Sequence, residues 1–150
     1  MTDYYTTQLE DGFVYQDFIS EQLGINCFRS RWYQDKRGEN ALGIEIKLDK
    51  KFRQTGNLYI ETEEKTNANN QNWVVSGIMR NDGSVLFLIG DYECAYLIPK
   101  RTLLTLRKQC REVETETSKG FLLPVSECEK WCLKQFKFDN WRRPSIGNTP

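Results

Sequence analysis

Two stretches of strict period-two alternation constrain this chain most. "GIEIKLDKKF" and "NLYIETEEK" occupy residues 43–52 and 57–65. Ile44, Ile46 and Leu48 alternate with Glu45, Lys47 and Asp49, and Leu58, Ile60 and Thr62 with Glu61, Glu63 and Lys65. A strand projects successive side chains to opposite faces, so each run reads as a strand with one buried and one charged face. "RQTG", with Gly56 available for positive φ, reads as the short connection of a hairpin.

In a hairpin with a three-residue loop, Glu45 stands opposite Glu63 and Lys47 opposite Glu61. Directly opposed carboxylates have Cβ atoms roughly 5 Å apart. At an effective dielectric near 20, their repulsion is on the order of 3 kcal/mol. A divalent cation reverses that sign, and Mg²⁺ suits one or two carboxylates completed by waters. Lys65 reaches the same side, where it could orient a water or offset phosphate charge. A four-residue loop flips one strand's faces relative to the other and removes the alignment. The competing reading is a half-exposed sheet whose charges face water, with Lys47 and Glu61 as a surface ion pair worth at most about 1 kcal/mol.

The remaining elements follow from periodicity and punctuation. "GFVYQDFISEQLG" (12–24) has helical spacing and stops at a glycine. "INCFRSRWYQDK", "WVVSGIMR", "SVLFLIGD" and "CAYLIP" read as strands, and "NDG" as a turn. "KRTLLTLRKQCRE" reads as a second helix and "VETETSKG" as a polar loop. "PVSECEKWCLKQF" reads as a third helix, with Ser126 and Glu129 at capping-box spacing. This order predicts an α+β (mixed α/β) domain over residues 1–150, with a single central mixed sheet flanked by helices. Its core spans about 12–137, with a loose tail over 138–150.

Histidine is absent, which excludes Ser-His-Asp and Cys-His catalysis and leaves acid–base work to carboxylates, Lys, Tyr or metal-activated water. The five cysteines are scattered and odd in number, so they read as free thiols in a reducing compartment rather than a disulfide framework. No signal-peptide pattern opens the sequence and no apolar run is long enough to span a bilayer; the expectation is a soluble cytoplasmic protein with no membrane partner. Formal net charge is zero, unlike most dedicated nucleic-acid binders. Basic residues nevertheless gather at 100–111 and 130–143, so a basic surface beside an acidic pocket is compatible with the composition. Trp73, Phe87 and Tyr96 read as core residues rather than base-stacking platforms.

A helix followed by strands carrying an acid in "GIEIK" and Glu-x-Lys in "ETEEK" resembles the PD-(D/E)XK, or restriction-endonuclease-like, nuclease superfamily. "TGNLYIE" and "WVVSGI" are also similar to small phage-encoded proteins of this type. The resemblance implies Mg²⁺- or Mn²⁺-dependent phosphodiester hydrolysis, with Glu45, Glu63 and Lys65 catalytic. Glu45, Glu61, Glu63 and Asp49 are its candidate metal ligands, and Glu21 or Asp17 the candidate acid from the first helix. Two other frames exist: Asp35 with Glu45-Ile46-Lys47, and Asp49 with Glu61-Thr62-Glu63. The implied partner is nucleic acid, DNA ahead of RNA, with a homodimer as one assembly state. The alternative is a non-catalytic binding or inhibitor protein, such as a phage protein aimed at a host enzyme, on the same fold.

Overall fold

A computed structural model describes residues 4–25, 43–65, 67–69 and 71–138. Helix α1 (Tyr4–Leu23) leads to strand β1 (Ile44–Leu48), the helical turn α2 (Phe52–Thr55) and strand β2 (Asn57–Glu64). Strand β3 (Val74–Val75) and a 3-10 turn at Gly77–Met79 follow, then β4 (Leu86–Gly90) and β5 (Cys94–Pro99). Helix α3 (Lys100–Arg107), the hairpin of β6 (Arg111–Glu114) and β7 (Ser118–Pro124), helix α4 (Val125–Trp131) and β8 (Lys134–Lys137) complete the order.

The class is α+β, as expected. The expected single central sheet is corrected to two four-stranded sheets, ordered β1-β4-β5-β8 and β3-β2-β7-β6. In the first, β1 runs parallel to β4 and the other pairs are antiparallel; the second is antiparallel throughout.

Each face of the first sheet has its own apolar cover. Tyr15, Phe18 and Ile19, spaced i, i+3, i+4 on α1, pack on Ile44, Ile46, Leu88 and Ala95. Phe138, expected to open the tail, is buried in this cluster with its ring 5.0 Å from that of Phe18. The opposite face presents Phe87, Ile89, Tyr96 and Ile98 to Leu58, Ile60, Phe121 and Leu123 of the second sheet. Leu103 and Leu106 of α3 and Cys128 of α4 join that core. The layers are therefore helix, sheet, sheet, with α3 and α4 contributing to the core between the sheets.

The predicted hairpin is also corrected. β1 and β2 lie in different sheets, and the chain passes between them through α2 rather than a tight loop. Phe52, at the head of α2, is 2% exposed and inserts into the core between the sheets. Gly56 closes the turn in the left-handed region (φ 76°), its N–H donating to the Phe52 carbonyl at 2.8 Å. A β-hairpin would leave Phe52 no route into that core.

Some expected elements change type. "VETETSKG" is no loop but the β6–β7 hairpin. "WVVSGIMR" yields only the two-residue β3 before the 3-10 turn, and the third helix ends at Trp131, leaving Lys134–Lys137 as a strand. The capping box is absent: Pro124 is the N-cap of α4, and Glu129 instead accepts a hydrogen bond from the Tyr96 hydroxyl at 3.1 Å. The strand expected in "INCFRSRWYQDK", the Asp35 frame and residues 139–150 lie outside the described residues. No helix among the described residues is long and apolar enough to cross a membrane.

Candidate functional site

On β1, Ile44 and Ile46 turn toward α1, so alternation turns Glu45 and Lys47 to the opposite face. Glu45 is 6% exposed. A carboxylate this buried costs several kcal/mol unless its oxygens are paired. The Ser84 hydroxyl donates to one oxygen at 3.1 Å, and the Lys47 ammonium stands 3.0 Å from the other. The Lys47 side chain remains 43% exposed, so the pair reaches solvent through the lysine.

On β2, Glu61 is half-buried. The Ser118 hydroxyl donates to it at 2.9 Å, and Ser118 also hydrogen-bonds to the Tyr59 hydroxyl. Burial raises the Glu61 pKa above its ordinary value; the Ser118 hydrogen bond opposes the rise, nearby Glu64 adds to it, and Lys47 and Ser76 oppose it. Lys47 pairs with Glu45 and adds a lesser favourable charge toward ionised Glu61 on the other sheet.

The Ser76–Gly77 segment closes on the same strand. Ser76 N–H donates to the Thr62 carbonyl at 3.0 Å. Gly77 has φ 53°, and a Cβ there would stand 2.2 Å from the Glu61 carbonyl oxygen; only glycine fits this approach. Ser76 Oγ is buried and makes no hydrogen bond, although it lies near enough to Glu61 to favour the ionised carboxylate.

The other sequence-predicted residues are placed elsewhere. A register shift separates Glu61, opposite Gly120, from Glu63, opposite Lys119. Glu63 pairs with the Lys119 ammonium at 3.7 Å, and Lys65 lies over the Trp73 ring at 4.5 Å. Asp49 organises backbone: one oxygen accepts from the N–H groups of Lys51 (2.9 Å) and Phe52 (3.0 Å), the other from Tyr59 N–H (2.9 Å). Glu21 and Asp17 are exposed on α1. The structure therefore sets Glu45 against Lys47 and Ser84 on one sheet and Glu61 against Ser118 on the other, gives Glu63 and Lys65 other partners, and commits Asp49 to the loop. Sequence reasoning did not assign roles to Ser76, Ser84 or Ser118. Their hydroxyls become informative only once the two sheets set their positions, and no local spacing signals them.

Compared with known proteins, the chain matches no family model, no curated protein and no solved structure. Any functional reading therefore rests on this geometry and on the residue motifs themselves. Among the described residues no group of three or more His, Cys, Asp or Glu side chains is placed to hold a metal ion. Glu61 with the Ser76 hydroxyl near it is a smaller oxygen donor set. It fits Mg²⁺ or Mn²⁺, which takes few protein oxygens and fills its shell with water and substrate oxygens; Zn²⁺, which favours His and Cys ligands, fits it poorly.

Proposed function

We propose that the protein is a divalent-metal-dependent phosphodiester hydrolase acting on nucleic acid, with its chemistry at Glu45, Lys47 and Glu61. One observation carries the reading: Glu45 is nearly fully buried with the Lys47 ammonium 3.0 Å from it, and burial opposes ionisation of half-buried Glu61. Carboxylates desolvated in this way concentrate at functional sites. This constellation takes Glu45 from one motif frame and Glu61 from another, with Lys47 in the place first assigned to Lys65.

Glu45 and Glu61 would hold the cation, which supplies Lewis acidity toward a phosphoryl oxygen. Ser84 and Ser118 fix the two carboxylates by hydrogen bonds. Lys47 keeps its ammonium where phosphate charge develops, in the electrostatic role that preorganised cations play in such reactions. A reducing, cytoplasmic setting accompanies this reading, because all four described cysteines are free thiols and burial pushes Cys128 up to about 12.

The test is cleavage of plasmid DNA, with single-stranded DNA and RNA in parallel, in Mg²⁺ or Mn²⁺ and in EDTA. Wild type is expected to cleave only with the metal. Glu45→Gln, Glu61→Gln and Lys47→Met should each lose on the order of 10²-fold or more while remaining folded. Cleavage that survives Glu61→Gln overturns the assignment. Metal-independent binding with no cleavage at all would point to the non-catalytic binding protein instead.

A further inference from the structure

Beyond Glu61, strand β2 continues to an end where it pairs with β3 on one side (Glu63 opposite Val75) and β7 on the other (Glu63 opposite Lys119, Glu64 opposite Ser118). Trp73 lies at this end, partly exposed and outside both apolar clusters. Two ammonium groups converge on its indole, Lys65 at 4.5 Å and Lys119 at 4.4 Å from the ring centre. Both lysines are held by the backbone of the sheet. Lys65 N–H donates to the Thr117 carbonyl at 2.8 Å, and Lys119 sits in register on β7. Lys119 is also 3.7 Å from both Glu63 and Glu114, whereas among the described residues the indole is the only partner of the Lys65 ammonium.

Lysine stems commonly cover apolar surface, and one lysine would suffice for that. Lys119 is offset by Glu63 and Glu114, which leaves the Lys65 ammonium beside a partly exposed indole, and a polyanion that also offers flat π-faces meets both features. Single-stranded nucleic acid has this chemistry, because its bases stack on aromatic side chains while its phosphates meet cations. A duplex does not: its base faces are covered by neighbouring pairs, leaving only edges and backbone for contact. The position is apt as well. Lys65 follows Glu61 by four positions, roughly 13 Å along an extended chain, so the platform lies at the end of the strand that carries Glu61.

We propose that Trp73, Lys65 and Lys119 form a stacking platform for single-stranded nucleic acid that feeds the Glu45–Glu61 site. This rests on the nucleic-acid reading above and adds to it the strandedness of the substrate and the place where it binds.

The experiment is equilibrium binding of a short fluorescein-labelled oligothymidine, with an oligouridine and a matched duplex in parallel, in EDTA so that no hydrolysis intervenes. Trp73→Ala should weaken single-strand binding on the order of ten-fold or more, and Trp73→Phe should retain most of it. Lys65→Gln with Lys119→Gln should weaken binding and lower the salt-dependence slope by roughly 1.4. The duplex should bind more weakly and without dependence on Trp73. The relative affinities of the two oligomers distinguish DNA from RNA, and tighter binding of either supports the platform. The proposal is overturned if folded Trp73→Ala binds both single strands as tightly as wild type, if wild type binds neither, or if the duplex shows the same Trp73 dependence. Its fate separates from that of the catalytic reading, because binding is read in EDTA and cleavage only with the metal. Trp73-dependent binding without metal-dependent cleavage therefore removes only the catalytic reading, and cleavage without Trp73-dependent binding removes only the platform.

Discussion

Asp49 and Glu61 look alike in the sequence, each an acid on the charged face of an alternating strand, yet their surroundings assign them opposite work. Three backbone N–H groups converge on the Asp49 carboxylate, so Asp49→Ala should cost about 1–3 kcal/mol of stability. Chemical denaturation measures this, and Asp49→Asn, which keeps an acceptor, should lose less and leave Mn²⁺ affinity unchanged. Burial instead raises the Glu61 pKa from the ordinary 4.5. The folded protein therefore holds that proton more tightly than the unfolded chain does. The resulting stabilisation is fully present below the ordinary value and is lost as pH rises through the elevated one. Thermal melting should accordingly show wild type gaining on Glu61→Gln as pH falls from neutrality toward the carboxyl range; the opposite trend would mean that the folded state favours the carboxylate. Alternation made both acids visible as candidates, but it could not rank them, because a carboxylate's role depends on how many N–H groups and cations the fold brings to it. Trp73 illustrates the same limit: its apolar bulk suggested a core position, whereas it lies partly exposed beneath two lysines.

At the scale of elements, α1, β1, β2, β4, β5 and the first part of α3 were legible because each carries a strong period and a clear stop. The edge strands β6 and β8 were not. In β6, Arg111, Glu112 and Glu114 are all exposed, and in β8, Lys134, Gln135 and Lys137 are. With little buried face there is little alternation to read, and charges on an edge are what discourage unwanted pairing. The hairpin error has a more specific cause. The residues between β1 and β2 were read as a turn set by Gly56, while the deciding residue is Phe52, whose ring belongs to the core between the sheets. Phe52→Ala should cost about 3–5 kcal/mol. Because α2 carries the chain from β1 to β2, the same substitution should loosen both strands. Hydrogen exchange across 44–64 would report this as faster opening of both strands, and exchange unchanged from wild type would mean that α2 does not hold them.

At the scale of the molecule, the α+β class follows from the mixture of periods, but the division into two sheets does not. β1 finds its parallel partner β4 across an intervening α2, β2 and β3, and no local signal encodes such long-range pairing. The consequence for function is direct. In one hairpin, register alone would have set the candidate acids face to face. In two sheets, Glu45 and Glu61 are related only by the packing of the layers, so the site depends on the fold as a whole. The measurement closest to that claim is calorimetric titration of Mn²⁺ into wild type and into the Glu45→Gln/Glu61→Gln double variant, with circular dichroism to establish that both are folded. The account predicts one saturable site in wild type and its loss in the double variant. Equal binding by the two proteins, or none by wild type, would contradict it.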